Sequence, residues 1–305
     1  MNKDPKQFKP LSAELDLPLF SQLRYRIQAA KVWLCLLVAF SALLGFAMAS
    51  FSLGDGGAAV FVSVLLLACG AASLNSYQEH RSDKQMTRTA GRPLALGLMS
   101  PAAARRQGQI LAGLGLFLLY LGTASTAAVG VGAAALVIYN GVYTPLKHTT
   151  VWAVLPGAVC GAMPPYIGWI GAGGDPFSPV ILGVTVMLAL WQIPHFWLVL
   201  LSYRDDYRHA HLPNMARLVP ESSLKYLSIV WVAALIVVLH TLLAIMPTIP
   251  AGLRIAMSAT GLIFLCGFGL VMTRQRRPNY RILFMILNMF MLYIMALLTV
   301  ACLVI

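Results

Sequence analysis

"AAVFVSVLLLACGAASL" (residues 58–74) runs directly into "NSYQEHRSDKQMTRTAGRPL" (residues 75–94). The first stretch carries no charge. The second opens with an amide and then sets Glu79 and Asp83 among Arg81, Lys84, Arg88 and Arg92. A membrane-spanning helix needs about 20 mostly apolar residues. The junction therefore reads as a helix leaving hydrocarbon for water, with a dense polar cluster at its mouth.

The rest of the chain has the same character. Of 305 residues, 59% are hydrophobic and only 10% charged, against about a quarter charged in soluble domains. The deficit extends over the whole length, which points to one membrane-embedded body over 32–305. Residues 1–31 are polar and carry Lys3, Lys6 and Lys9. The first long apolar run starts only near Val32, so this leader reads as a cytoplasmic segment rather than a signal peptide.

Apolar runs predict spans near 32–53, 58–76, 109–127, 129–145, 152–172, 178–201, 225–246, 251–273 and 282–304. The third and fourth are divided only by "AVGVG", but fused they would be far longer than one crossing needs. Under this nine-span reading, 21 of the 22 Lys and Arg residues fall in the leader or in every second loop, with Arg254 the exception. That bias predicts a cytoplasmic N-terminus and an outer C-terminus. It also accounts for the net charge of +12 without nucleic acid. The five cysteines lie far apart with no CxxC pair, which fits packing rather than a disulfide or zinc framework.

The ten acids are more telling. Glu79 and Asp83 stand at the inner end of span two, and Asp205 and Asp206 at the inner end of span six. Two parallel helices thus present carboxylates at one face, which suggests a two-halved bundle with a shared inner mouth. Asn75, Glu79 and Asp83 are four apart and stack on one helix face. Three oxygen donors on one stripe suit a hard divalent cation that shares phosphate oxygens. The same residues read equally well as a solvated helix end with i,i+4 ion pairs. Span six contains "WQIPHFW", and a His and a Gln inside a span normally face a cavity or a partner. His195 reads as either. His209, His211 and His240 read as surface or packing residues, and Gly157 and Gly161 as a GxxxG packing face.

These blocks carry a resemblance. Asn75, Glu79 and Asp83 are similar to the NxxxDxxxD motif of the UbiA superfamily of intramembrane prenyltransferases. Within it, Met86, Arg88, Thr89, Arg92, Pro93 and Leu94 resemble the continuation found in the protohaem IX farnesyltransferases. "YTPLKHTTVWAVLPGAVCGAMPPYIGW" (143–169) and "WQIPHFW" followed by "DDY" are similar to two further blocks of that group. The likeness extends over roughly residues 30 to 300.

It implies an all-α, nine-helix transmembrane bundle in the cytoplasmic (inner) membrane, with its active-site mouth on the cytoplasmic side. It implies transfer of a farnesyl group from farnesyl diphosphate to a vinyl group of haem B. Magnesium, or manganese in its place, would be held by Asn75, Glu79, Asp83, Asp206 and Asp205. Arg88, Arg92, Lys147, Tyr143, His195 and Arg204 would contact substrate, and Tyr77, Tyr143 and Tyr203 would shield an allylic cation. Haem A synthase or a terminal oxidase would be assembly partners. The chain departs from the group in having Glu79 where an aspartate is usual, and "RHAHLPNMARLVP" after Tyr207 where Ala-Gly-Ile-Pro-Met-Leu-Pro is usual. An aromatic or quinone-precursor acceptor is the neighbouring alternative. A transporter is the non-enzymatic one, although it would place its polar residues near the bilayer midplane.

Overall fold

The computed structural model describes residues 18–204, 206, 215–275 and 278–304. Asp205, His209 and His211, and most of the leader, lie outside them. Among the described residues the structure is all helical. The helices are α1 (Leu19–Ala29), α2 (Val32–Ser50), α3 (Asp55–Asp83), α4 (Pro93–Leu96), α5 (Pro101–Thr123), α6 (Thr126–Leu136) and α7 (Thr144–Leu146). They continue with α8 (Val154–Gly171), α9 (Pro179–Ser202), α10 (Met215–Leu218), α11 (Glu221–Ile245), α12 (Ala251–Arg274) and α13 (Tyr280–Val304). A π-helix, Val137–Tyr143, joins α6 to α7.

Eight of the described helices are long and apolar enough to cross a membrane, so the protein is a multi-pass integral membrane protein. The expected span at 109–127 falls on α5, which is not among the eight. Its first turns hold Arg105, Arg106 and Gln107, which lowers its hydropathy below that of the other eight; it nevertheless runs antiparallel along α3, with Gly108 beside Leu74, Gly115 beside Leu67 and Gly122 beside Ala59. The break between α5 and α6 also lies earlier than "AVGVG". Ala124 takes a left-handed φ of 50° and ends α5. Ser125 then caps α6 by accepting the Ala128 N–H at 3.1 Å, which satisfies one of the donors a helix start leaves open.

The long helices close a ring. Packing runs α2–α3–α5–α6–α8–α9–α11–α12–α13, and α13 returns to α2. Small residues set the tightest crossings. A Cβ built on Gly168 of α8 would sit 1.9 Å from the carbonyl oxygen of Ala42 in α2, and one on Gly45 would sit 1.8 Å from that of Pro165. Backbone approach this close needs glycine. Gly157 and Gly161 have a different role from the helix packing expected of them. Cβ atoms there would strike the Tyr143 ring and the Gln192 amide, so these glycines make room for side chains that line cavities. Large apolar side chains such as Trp33, Ile263 and Val304 are exposed on the outside, as a bundle solvated by lipid requires.

Candidate active site

The site lies where α3 leaves the apolar body. Asn75, Glu79 and Asp83 are 2%, 3% and 5% exposed, so the stripe is not a solvated helix end. Buried ions need partners, and each of the three residues has a cationic one from a different element. Lys31 Nζ donates to Asn75 Oδ1 at 2.7 Å. Lys147, just after α7, is ion-paired with Glu79. Arg92, the residue before α4, donates through Nη1 to both carboxylate oxygens of Asp83, at 2.9 and 2.8 Å.

Local structure aims these groups. Lys31 has φ 51° and ψ 44°, a left-handed turn that separates α1 from α2 and directs its side chain across to α3. Burial pushes the Lys31 ammonium down to about 8, with Arg92 and Lys147 adding to the effect and Glu79 and Asp83 opposing it. Asn75 Nδ2 donates to Thr144 Oγ1 at 3.2 Å, and that hydroxyl donates on to the Tyr139 carbonyl at 2.8 Å. The Asn75 amide is therefore oriented with its oxygen toward Lys31. The π-helix is tied to α3 by Gln78 Nε2 donating to the Asn140 carbonyl at 2.8 Å and Asn140 Nδ2 donating to the Ala71 carbonyl at 3.0 Å. π-Helical turns are frequent at functional sites, and this one brings Tyr139 and Tyr143 to the walls of the cavities.

Two cavities adjoin here. A polar one of about 240 Å³ is walled by the motif residues together with Lys31, Arg88, Arg92 and Lys147. An apolar one of about 300 Å³ lies deeper, among Leu34, Val38, Cys160, Trp191 and His195. Lys31, Tyr139, Tyr143 and Phe196 line both.

Asp206 reaches the site from the other half, accepting the Arg88 backbone N–H at 3.1 Å. It is not a wall of the polar cavity. Among the described residues no three acids, histidines or cysteines converge on one point. The donor set still fits magnesium, which commonly takes one or two carboxylates and completes its shell with phosphate oxygens and water.

The remaining expected contacts divide. Arg88, Arg92, Lys147 and Tyr143 line the polar cavity, and His195 lines the apolar one. Arg204 is turned away: its Nη1 bonds Glu221 at 3.0 Å, and Glu221 also accepts from the Tyr280 hydroxyl. A guanidinium finds a fixed carboxylate there, so it has no need of the cavity. Tyr203 lies between the Arg88 and Arg281 guanidinium groups, 5.6 and 5.0 Å from its ring centre. Tyr77 packs beside the Ala29–Leu94 cluster, away from both cavities. Lys31 and Tyr139 were not expected as site residues. Lys31 belongs to the leader, whose charge reads as topogenic; a cation immediately before an apolar run is the sequence signal that marks it.

Known proteins share sequence and fold with this chain. The model described as the UbiA prenyltransferase family matches residues 36–303. A protoheme IX farnesyltransferase of Oleidesulfovibrio alaskensis is 36% identical over 265 residues, covering 87% of this chain and 91% of that one. The enzyme of the same name from Nitratidesulfovibrio vulgaris is 37% identical, covering 70% and 75%. Among solved structures, a digeranylgeranylglyceryl phosphate synthase superposes with a TM-score of 0.76 at 13% identity, covering 93% of this chain and 99% of that one. A UbiA homologue from Archaeoglobus fulgidus bound to GPP and Mg2+ superposes with a TM-score of 0.69 at 14% identity, covering 92% and 100%. The chain thus shares its fold with solved UbiA structures and its sequence with relatives over most of its length, and it belongs to the UbiA prenyltransferase family.

Proposed function

We propose that the protein transfers a farnesyl group from farnesyl diphosphate to a vinyl group of haem B, making haem O and releasing diphosphate. The observation that carries this reading is the likeness to protoheme IX farnesyltransferases along nearly the whole chain. The paired cavities suit it, since one substrate is a charged diphosphate on an apolar tail and the other a large apolar ring system.

Lys147 and Arg92 now neutralise Glu79 and Asp83, and Lys31 bonds the Asn75 amide oxygen. With substrate present they are the cations positioned to compensate the diphosphate, and Arg88 joins them from the cavity wall. A divalent ion, magnesium or manganese, held by Asn75, Glu79 and Asp83 with Asp206 (and Asp205) from the other half, would add positive charge for the leaving group. As the allylic C–O bond breaks, the electron pair leaves with diphosphate. The Tyr139 and Tyr143 rings face the developing cation. The farnesyl carbon bonds to the vinyl terminus, and water adds to the resulting cation and loses a proton. The apolar walls exclude bulk water that would otherwise capture the farnesyl cation first.

The charge bias along the chain supports a cytoplasmic mouth in the cytoplasmic (inner) membrane, with the N-terminus on the same side and the C-terminus outside. Haem A synthase or a terminal oxidase would be the consumers of the product.

The test is purified full-length protein in detergent with farnesyl diphosphate, magnesium and haem B. Haem O identified by mass, together with released diphosphate, is the expected result. Consumption of farnesyl diphosphate only with a phenolic or quinone-precursor acceptor would overturn the haem assignment.

A further inference from the structure

His195 stands in α9 about two turns inside its polar end, on the wall of the apolar cavity. Its Nδ1 lies 2.8 Å from Asn288 Oδ1, on α13. The Asn288 amide is itself oriented, because its Nδ2 donates to the Phe284 carbonyl at 2.8 Å. The oxygen must therefore face the histidine, and Nδ1 must carry the proton. This leaves Nε2 as a bare lone pair. His195 lines the cavity and Asn288 does not, and Nε2 lies on the side of the ring away from Asn288. Among the described residues Nε2 has no hydrogen-bond partner.

The ring is held in place. Trp191, Phe284 and Phe196 pack round it at centroid distances of 4.8, 4.6 and 5.7 Å. Pro194 precedes it, and Gln192, one turn back, is committed to the Ala158 carbonyl at 3.2 Å. A prenyl tail in this cavity would offer nothing to an imidazole lone pair, and the buried acceptor would stay unsatisfied. A metal ion would satisfy it. A histidine whose Nδ1–H is fixed by an amide or carboxylate oxygen while Nε2 faces an open apolar space is the arrangement proteins use to present a metal ligand.

We infer that His195 Nε2 is the axial ligand of the iron of haem B, and that Asn288 is the positioning residue that orients it. This rests on the haem reading of the same site and deepens it. Iron ligation pins the macrocycle beside Phe196, one of the four side chains shared by the two cavities, and so holds one edge of the acceptor toward the diphosphate end. The step is coordination only; no bond is broken and no electron is exchanged.

The experiment titrates full-length protein in detergent with haem B and, separately, with metal-free protoporphyrin IX, followed by absorption and magnetic circular dichroism. Wild type should give the spectrum of histidine-ligated haem. His195→Ala should lose that signature and weaken haem B binding by about tenfold or more, with protoporphyrin binding unchanged. His195→Gly should recover the signature when imidazole is added, which also shows that the variant is folded. Asn288→Asp, which keeps an acceptor on Nδ1 but adds charge, should retain ligation and lower the haem midpoint potential.

An unchanged spectrum in His195→Ala overturns the proposal, even if turnover falls, because the residue would then act on water or packing rather than on iron. Should wild type form haem O without any histidine-ligated spectrum, the ligand fails and the function stands. Should wild type neither bind nor farnesylate haem B while consuming farnesyl diphosphate with another acceptor, the haem reading fails and takes this inference with it.

Discussion

At the scale of single residues the site is a row of three oxygen donors, each held by a cation from elsewhere. Asn75, Glu79 and Asp83 were recognisable from a four-residue spacing, because helical periodicity alone puts them on one face. Lys31 was not, because its role depends on a left-handed turn that brings it beside Asn75 across 44 residues of chain. Two predictions belong here. Glu79→Asp should remain active, since it keeps the charge that Lys147 pairs with. Glu79→Gln should be slower by about 10- to 100-fold, because a neutral amide is a weak magnesium ligand. Haem O formation against magnesium concentration measures both; wild-type rates with an unaltered magnesium dependence in Glu79→Gln would remove Glu79 from the ligand set. Lys31→Met keeps the apolar stem and deletes the charge. Its KM for farnesyl diphosphate should rise by about tenfold as one charge-assisted contact is lost, while its insertion and thermal stability stay near wild type. A KM identical to wild type would confine Lys31 to orienting Asn75.

At the scale of elements, packing by small residues decides where side chains can stand. The contact of α2 with α8 is backbone on backbone, through Gly45 and Gly168. Gly168→Ala would place a methyl 1.9 Å from a carbonyl oxygen, a contact that neither helix can relieve by a rotamer change. The expected loss is about 3 kcal/mol, read as a lowered unfolding midpoint in detergent. Gly113→Ala, where a Cβ meets nothing within 4 Å, is the control and should be neutral or slightly stabilising. Equal midpoints for the two variants would show that α2 and α8 do not cross this closely. The π-helical turn belongs to this scale too. No periodicity in "VIYNGVY" announced it. It forms where Asn140 and Thr144 exchange hydrogen bonds with α3, and those partners exist only once the helices have met.

At the scale of the molecule, the two halves meet at one end of the bundle. Arg88, after α3, bonds Asp206, after α9, and stacks on Tyr203. If both halves serve one site, Asp83→Ala and Asp206→Ala should each reduce farnesyl transfer by about 100-fold or more, with the protein still inserted and folded. Full activity in both variants would leave these carboxylates as helix-end charges. The same geometry predicts sidedness. Cysteines replacing Arg81, His148 and Asp206 should react with an impermeant maleimide from one side of a sealed vesicle, and a cysteine replacing Asp175 from the other. Labelling of the Arg81 and Asp206 positions from opposite sides would break the ring described here.

The sequence by itself determined that this is an all-helical membrane body with its acids gathered at one end, because hydropathy, charge bias and the four-residue spacing are local quantities that need no knowledge of neighbours. It also carried the family, since three blocks of residues keep their order and separation. Other features needed the tertiary structure. The break at Ala124 depends on a left-handed residue and a serine cap rather than on the glycines that follow. Arg204 is diverted by Glu221, seventeen residues away, and Tyr280 shares that carboxylate from α13. Lys31, Tyr139 and the orientation of His195 by Asn288 are set by contacts between helices distant in the chain. A buried polar group is committed by whichever partner the packed bundle brings within about 3 Å, and pattern along one chain does not contain that distance.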